Sequence, residues 1–189
     1  MQKDCISREA LTARLGERRA AHVLGTAHMA AELAARCGVD VKRAETAALW
    51  HDWFRTARGA ELDALIDHYG VDPALKGNAD LAHSKLAAAF MERELGVRDA
   101  EILNAVRYHT TGRADMSVLE KILYVADAAE PSRDYPGVSA LREAARRDLD
   151  EACITALGNT LRLLRERGRT PDADSVRALE WLRDHGSRL

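Results

Sequence analysis

No stretch of eighteen apolar residues occurs in this 189-residue chain, so its length of apolar sequence excludes a membrane-spanning helix. The three cysteines, Cys5, Cys37 and Cys153, are an odd and widely spaced set. Without a Cys-x-x-Cys they support neither a disulfide framework nor a zinc knuckle, and each reads as a small buried or half-buried thiol. Charge of one sign is missing too. Lys and Arg number 28 against 30 Asp and Glu, a formal charge of −2 that gives no basic footprint for a nucleic-acid polymer. An anionic ligand must therefore be held locally, by arginine or by metal. The opening Met1-Gln2-Lys3-Asp4-Cys5 lacks the basic-then-apolar pattern of a signal peptide, and a cytoplasmic protein without membrane contact is expected.

Runs of β-branched residues are also scarce, and strand signals are nearly absent. What remains is helix: Ala, Leu, Arg and Glu dominate, and apolar residues recur at three-to-four spacing. The spacing predicts helices over Ser7 to Leu15 and Glu17 to Cys37, the second stopped by Gly38. Asp40 caps a helix expected to run through His51 and Asp52 to about Gly59, and a short helix from Ala60 closes after Tyr69 at Gly70. Beyond Pro73 and Gly77-Asn78 come a helix containing His83, one over Ile102 to His109 and one over Ser117 to Ala129. Pro131 and Pro136 bound a loop. A long helix from Ser139 to Arg167 follows, then a last one opened by Pro171 and reaching His185. With no internal repeat or linker, the expected fold is all-α, one helical bundle over residues 1–189.

Within that bundle six side chains stand out as metal-ligand types: His22, His51, Asp52, His83, His109 and Asp127. His51-Asp52 lies in the mostly apolar stretch Ala47 to Phe54, and Asp127 follows Ile122-Leu123-Tyr124-Val125-Ala126. A carboxylate in such surroundings is costly to desolvate unless it meets a cation or several donors. Any one of these histidines alone is more often satisfied by a backbone carbonyl; the set is what points to metal. On one helix His51 and Asp52 would stand about 100° apart and flank a shared centre, while the other groups arrive from other helices.

At these residues the chain resembles the HD-domain phosphohydrolases, whose signature is the order His, His-Asp, Asp. The fuller set is similar to the YqeK branch of that family. Arg19-Ala20-Ala21-His22 resembles its Arg-x-x-His opening, and Tyr108-His109-Thr110-Thr111-Gly112 its His-Thr-x-Gly element. The run Ala126-Asp127-Ala128-Ala129-Glu130-Pro131-Ser132-Arg133-Asp134-Tyr135-Pro136-Gly137-Val138 resembles its Ala-Asp-x-x-Glu-Pro-x-Arg-x-x-x-Gly-Val block. The likeness covers roughly Arg18 to Pro171 and implies an HD-type helical domain, with a catalytic core over about 18–137 and helices over 139–185 packed on it. It further implies a symmetrical bis(5'-nucleosyl)-tetraphosphatase that cleaves diadenosine tetraphosphate (Ap4A) to two ADP at a di-iron centre. His22, His51, Asp52, His83, His109 and Asp127 are then the ligands, not divided here between the metals. Two cations can be bridged by Asp52 and a hydroxide, the metal lowering the pKa of its water from 15.7 toward about 7. Mixed nitrogen and oxygen ligation suits iron, manganese or cobalt, and iron is what the resemblance implies.

A tetraphosphate needs forked guanidiniums, and three are candidates for binding it: Arg133, Arg55 and Arg113. Asp52, Arg55 and Arg133 are the expected catalytic set. Arg55 follows His51 by four residues, on the same helical face, where the family usually has Lys. Ser84-Lys85 after His83 is a second departure, where Gly and a small apolar residue are usual. His28 is six residues and about 240° from His22 and serves another face. His68 and His185 read as helix-end residues, Trp50 and Trp53 as core and pocket wall, and Arg142 to Arg147 as a solvated helix face. Two other functions stay open on sequence alone: an HD phosphohydrolase for a dNTP, a guanosine alarmone or a cyclic dinucleotide, and a non-catalytic metal- or nucleotide-binding module. A homodimer is likewise left open.

Overall fold

Ser7, Asp40, Asn78, Asp99, Ser117, Asp148 and Asp172 each place a side-chain oxygen on free N–H groups of the turn that follows, and these caps set where seven helices begin. The computed structural model describes residues 6–186, and Cys5 lies outside them. In chain order the helices are α1 (Arg8–Leu15), α2 (Glu17–Cys37), α3 (Val41–Trp50), α4 (Gly59–Tyr69), α5 (Ala79–Arg93), α6 (Ala100–Tyr108), α7 (Val118–Ala129), α8 (Val138–Arg147), α9 (Leu149–Glu166) and α10 (Ala173–His185), with a single 3-10 turn at Pro73–Leu75. No strand occurs among the described residues, as the composition led us to expect. Ser117 and Glu120 form a reciprocal capping box at the start of α7. Gly38, at φ 68°, ends α2 in the left-handed region, with its N–H bonded to the Ala34 carbonyl.

Alanine does much of the packing. Ala20, Ala27, Ala30 and Ala34 of α2, and Ala44, Ala47 and Ala48 of α3, are all buried, so these two helices approach closely over a long face. The most central helix is α7, which packs on α2, α3, α6, α8 and α9 and buries Leu119, Ile122, Leu123 and Val125. Such neighbours on every side explain the apolar run ahead of Asp127.

The last helix is opened not by Pro171 but by its Asp172 cap, beginning at Ala173, and two further helix boundaries differ more widely from the sequence reading. The helix expected to continue to Gly59 ends at Trp50, and residues 51–56 form tight turns closed by Trp53 N–H to Trp50 O (3.2 Å) and Arg55 N–H to Asp52 O (2.8 Å). His51 and Asp52 thus leave a helix end, and Arg55 shares no helical face with His51. The single tail helix is instead α8 and α9, broken at Asp148. That residue is extended, and its carboxylate caps Asp150 and Glu151 N–H while its own N–H closes α8 on the Ala144 carbonyl. Capping by Asp ends a helix without help from Gly or Pro. Cys153 is buried, but Cys37, at the end of α2, is exposed.

Because Leu123 is fully buried on α7, Leu123→Ala should lower unfolding free energy by about 2–5 kcal/mol in urea titrations. A loss under about 1 kcal/mol would mean that α7 does not sit in close-packed surroundings.

Candidate metal centre

Helix ends build most of the site. His51 and His109 are the residues just past α3 and α6, and each turns Nδ1 back onto a carbonyl of the last turn: Ala48 O at 2.6 Å and Val106 O at 2.8 Å. Such carbonyls lack a helical partner, so the imidazole satisfies them and is fixed in return. His83, inside α5, turns its Nδ1 onto a first-turn carbonyl, Ala79 O, at 3.0 Å. His22, in the middle of α2, directs Nδ1 to the buried carboxylate of Glu130 at 3.0 Å. With the proton on Nδ1, Nε2 is left as a lone-pair donor, the arrangement seen in metal-binding imidazoles.

All four Nε2 atoms face Asp52 or Asp127. Asp52 Oδ2 is 3.7 Å from His22 and 3.6 Å from His51, whereas Oδ1 is 3.3 Å from His83 and 3.8 Å from His109. Asp127 Oδ1 is 3.0 Å from His22 and 4.0 Å from His51. The structure therefore brings all six sequence candidates together. His22, His51, Asp52, His83 and His109 are buried, and Asp127 is partly so. His22, His51 and Asp127 could hold one ion, as could His51, Asp52 and His109.

Two features test whether a cation fits. The Nε2 atom of His51 is buried without a hydrogen-bond partner among the described residues, while that of His22 stands 3.0 Å from Asp127 Oδ1. His83 Nε2 and His109 Nε2 stand 3.1 Å apart while both Nδ1 atoms are committed to carbonyls, so lone pair faces lone pair. Two imidazole nitrogens about 2.1 Å from one cation, in adjacent coordination positions, stand about 3 Å apart. The donor set fits a metal.

Charge in the site is arranged to suit. Burial works against an ionised Asp52, yet His51 and His83 hold its carboxyl well below the usual carboxylate range. Burial likewise opposes Asp127, and His22 and Arg133 override it. Burial, with repulsion from His51 and His83, pushes His109 down to about 3. His22 runs the other way: burial would lower it, but Asp127 and Glu130 raise it. Arg19 donates to Asp52 at 2.9 Å, and Arg133 donates to both the carboxylate and the carbonyl of Asp127.

Above the centre opens a pocket of about 720 Å³, within the range of small-molecule sites, lined by Asp52, His83, His109 and Asp127 at its base and by Arg19, Arg55 and Arg133 on its walls. Arg113 is not among the described residues lining it. Its guanidinium grips the buried Glu120 with two bonds of 2.6 and 2.7 Å, the same carboxylate that completes the α7 capping box, so the substrate role expected for Arg113 is withdrawn. Neither Trp50 nor Trp53 lines the pocket among the described residues; both pack with Phe90. Arg142 is no solvated side chain, because it donates to the carbonyls of Ala129, Glu130 and Arg133 and braces the turn that carries Arg133.

Sequence reasoning assigned no role to Arg19 or Glu130, although both stood in its motifs. Their spacing was the available signal: Arg19 precedes His22 by three residues and Glu130 follows Asp127 by three, so each shares a helical side with a candidate ligand. Glu130 also explains Gly25. A Cβ at Gly25 would lie 2.6 Å from Glu130 Oε2, so the glycine makes room for the carboxylate that orients His22.

Comparison with known proteins agrees with this geometry. A family model described as HD domain matches residues 19–132. The chain is 40% identical over 170 residues to a protein of Bacillus subtilis named symmetrical bis(5'-nucleosyl)-tetraphosphatase, covering 89% of this chain and 91% of that one. It is 37% identical to a protein of the same name from Halalkalibacterium halodurans, covering 86% and 87%. A crystal structure from Clostridium acetobutylicum, described as a "predicted HD superfamily hydrolase involved in NAD metabolism", superposes with a TM-score of 0.87 at 32% identity, covering 94% of this chain and 95% of that one.

Burial of neutral His109 carries a pH signature in the metal-free protein. The unfolded chain takes a proton on this residue below about pH 6.5, whereas the folded one resists until about pH 3. The folded-state value is depressed, so stability present above pH 6.5 is lost as pH falls toward 3. Urea titrations at pH 7 and pH 5 should show that decline, and His109→Gln should flatten it. Equal slopes in the two proteins would contradict a neutral buried imidazole.

Proposed function

This chain belongs to the HD domain family, and we propose that it is a metal-dependent phosphoric anhydride hydrolase that adds water to diadenosine tetraphosphate and releases two ADP. The observation that carries this reading is the convergence of four Nε2 lone pairs on two carboxylates at the floor of an arginine-walled pocket. The substrate follows from two relatives that carry the name of that activity along nearly their whole length.

We assign His22, His51, Asp52, His83, His109 and Asp127 as ligands of two divalent cations. Asp52 would be shared by both sides of such a centre, because its Oδ2 faces His22 and His51 while its Oδ1 faces His83 and His109. Iron is the cation we expect, on ligation by imidazole and carboxylate without thiolate; manganese and cobalt are compatible. When bound, such a pair supplies Lewis-acid polarisation of phosphate oxygens and water acidic enough to react near neutral pH.

The remaining chemistry belongs to side chains of the chain itself. His83, His109, Asp52 and Asp127 line the pocket and His22 and His51 do not, so the side of the centre built on His83 and His109 meets the substrate. Glu130, fixed by the Ser132 N–H and hydroxyl, keeps His22 in register. Arg133 is aimed by Arg142 and by Asp127, which takes its Nε and Nη2, and its remaining N–H groups serve phosphate oxygens. Arg55 lies on the same pocket wall as Asp80 and serves the same purpose. We treat residues 1–189 as one catalytic unit, with the core over about 18–137, because α9 and the loop after it complete the pocket that the core begins. No helix among the described residues is long and apolar enough to cross a membrane, and we place the enzyme in the cytoplasm with its soluble nucleotide.

Anaerobically purified protein should contain two metals per chain and yield ADP alone from the tetraphosphate; ATP plus AMP would reject symmetrical cleavage, and tight nucleotide binding without turnover would indicate a binding module. Asp52→Ala should remove turnover and metal retention together, and an active, metal-replete variant would take Asp52 out of the bridge. Arg133→Ala should lower kcat/KM about 10- to 100-fold with metal content retained. Unchanged kinetics would withdraw Arg133 from phosphate binding.

A further inference from the structure

The pocket extends beyond the centre to a wall that sequence reasoning did not anticipate. Arg162, near the end of α9, and Arg167 and Arg169, in the segment after it, line the same cavity as the metal-ligand candidates. Arg169 reaches back to Asp80, in the first turn of α5, at 3.4 Å, and Asp80 also receives Arg55 at 3.0 Å. One carboxylate is thus shared between two guanidiniums, Oδ1 on Arg55 and Oδ2 on Arg169. Arg55 has spare capacity, since its Nη1 is buried without a hydrogen-bond partner among the described residues. Arg169 is 58% exposed and reaches Asp80 from the solvent side. A guanidinium pair bridged by two oxygens of one anion is the pattern in which phosphate is held. Arg55 is also tied to the centre, for its N–H bonds the Asp52 carbonyl at 2.8 Å.

We propose that Arg55 and Arg169 form an anion subsite beside the centre, occupied in the free protein by the Asp80 carboxylate, and that phosphates of the departing nucleoside diphosphate displace Asp80 from it. This deepens the hydrolase reading and rests on it for the identity of the diphosphate. It gives the pocket a measure of substrate length. A short phosphodiester engages the centre alone, whereas a polyphosphate spans the centre and the arginine pair. Asp80 sets the threshold: its ion pairs must be exchanged for those of the substrate, so weakly charged ligands leave it in place.

Calorimetry with ADP on metal-loaded protein tests the subsite whether or not the tetraphosphate is the substrate. Arg169→Ala should weaken ADP binding about tenfold, the scale of one charge-assisted hydrogen-bonded contact. Asp80→Asn, which removes the competing charge, should tighten it several-fold. In hydrolysis assays the Arg169→Ala loss should appear in KM for diadenosine tetraphosphate and be at least five times larger than for bis(p-nitrophenyl) phosphate, which is too short to span both regions. ADP affinities within twofold of wild type in both variants would overturn the proposal, and so would equal losses on the long and the short substrate. Failure of the wild type to make ADP from the tetraphosphate would overturn the hydrolase reading instead, while the ADP titrations would still decide the subsite.

Discussion

His83 and His109 turn their Nε2 atoms toward each other at 3.1 Å, with both Nδ1 atoms held by main-chain carbonyls, and the rest of the molecule is organised around that contact. Neither nitrogen can donate to the other in this tautomer. Buried lone pairs at that distance repel unless positive charge stands between or beside them. Asp52 lies against both imidazoles, with its other oxygen on Arg19 at 2.9 Å. Facing lone pairs beside a carboxylate suit a bound cation, and a helical bundle is what can hold them in that arrangement. Carbonyls left free at the ends of α3 and α6 fix His51 and His109, and a first-turn carbonyl of α5 fixes His83.

Gathering six polar side chains inside a core is expensive, and the chain offsets the cost with neighbours chosen for the purpose. Arg19 stands against Asp52, Arg133 against Asp127, and Glu130 against His22. Removal of either arginine would leave a carboxylate without its guanidinium in poorly hydrated surroundings, which costs more than the net worth of the pair, and removal of Glu130 would release the His22 ring. Small residues make the space. Alanines let α2 and α3 approach closely, and Gly25 leaves the volume that the Glu130 carboxylate fills. Arg142 extends the same logic one layer out by drawing four carbonyls, from the end of α7 and the turn after it, onto one guanidinium, which sets the direction of Arg133.

Much of this was legible in the sequence because the signals were local. Capping residues and glycines marked most helix ends, since an orphan N–H or a left-handed residue leaves a chemical trace at one position. The six ligand candidates could be named from residue type and order. Other features depend on who meets whom. Arg113 looked free beside Thr110-Thr111-Gly112, and only folding brings it to Glu120, whose capping role was itself legible in Ser117 and Glu120. The break at Asp148 was hidden because heptad-like apolar spacing continues across it, while an Asp cap competes with helix continuation on nearly equal terms. Arg162, Arg167 and Arg169 lie at or just past the end of α9, and nothing in their spacing says that a cavity lies beneath them.

The arginine wall also resolves a tension in the composition. A formal charge of −2 does not draw in a polyanion from a distance, yet the pocket holds six arginines. Four of these are matched by carboxylates of the chain: Arg19 by Asp52, Arg133 by Asp127, and Arg55 and Arg169 by Asp80. Binding at such a surface is exchange more than attraction. A phosphate must outcompete a carboxylate for a guanidinium that is already oriented, so affinity comes from the number of phosphates that can exchange at once. A site built this way keeps most of its arginines oriented without ligand, ignores isolated anions, and gains selectivity from the length of the chain it binds. The same carboxylates that keep the pocket stable in the free protein thus set how many charges a substrate must carry.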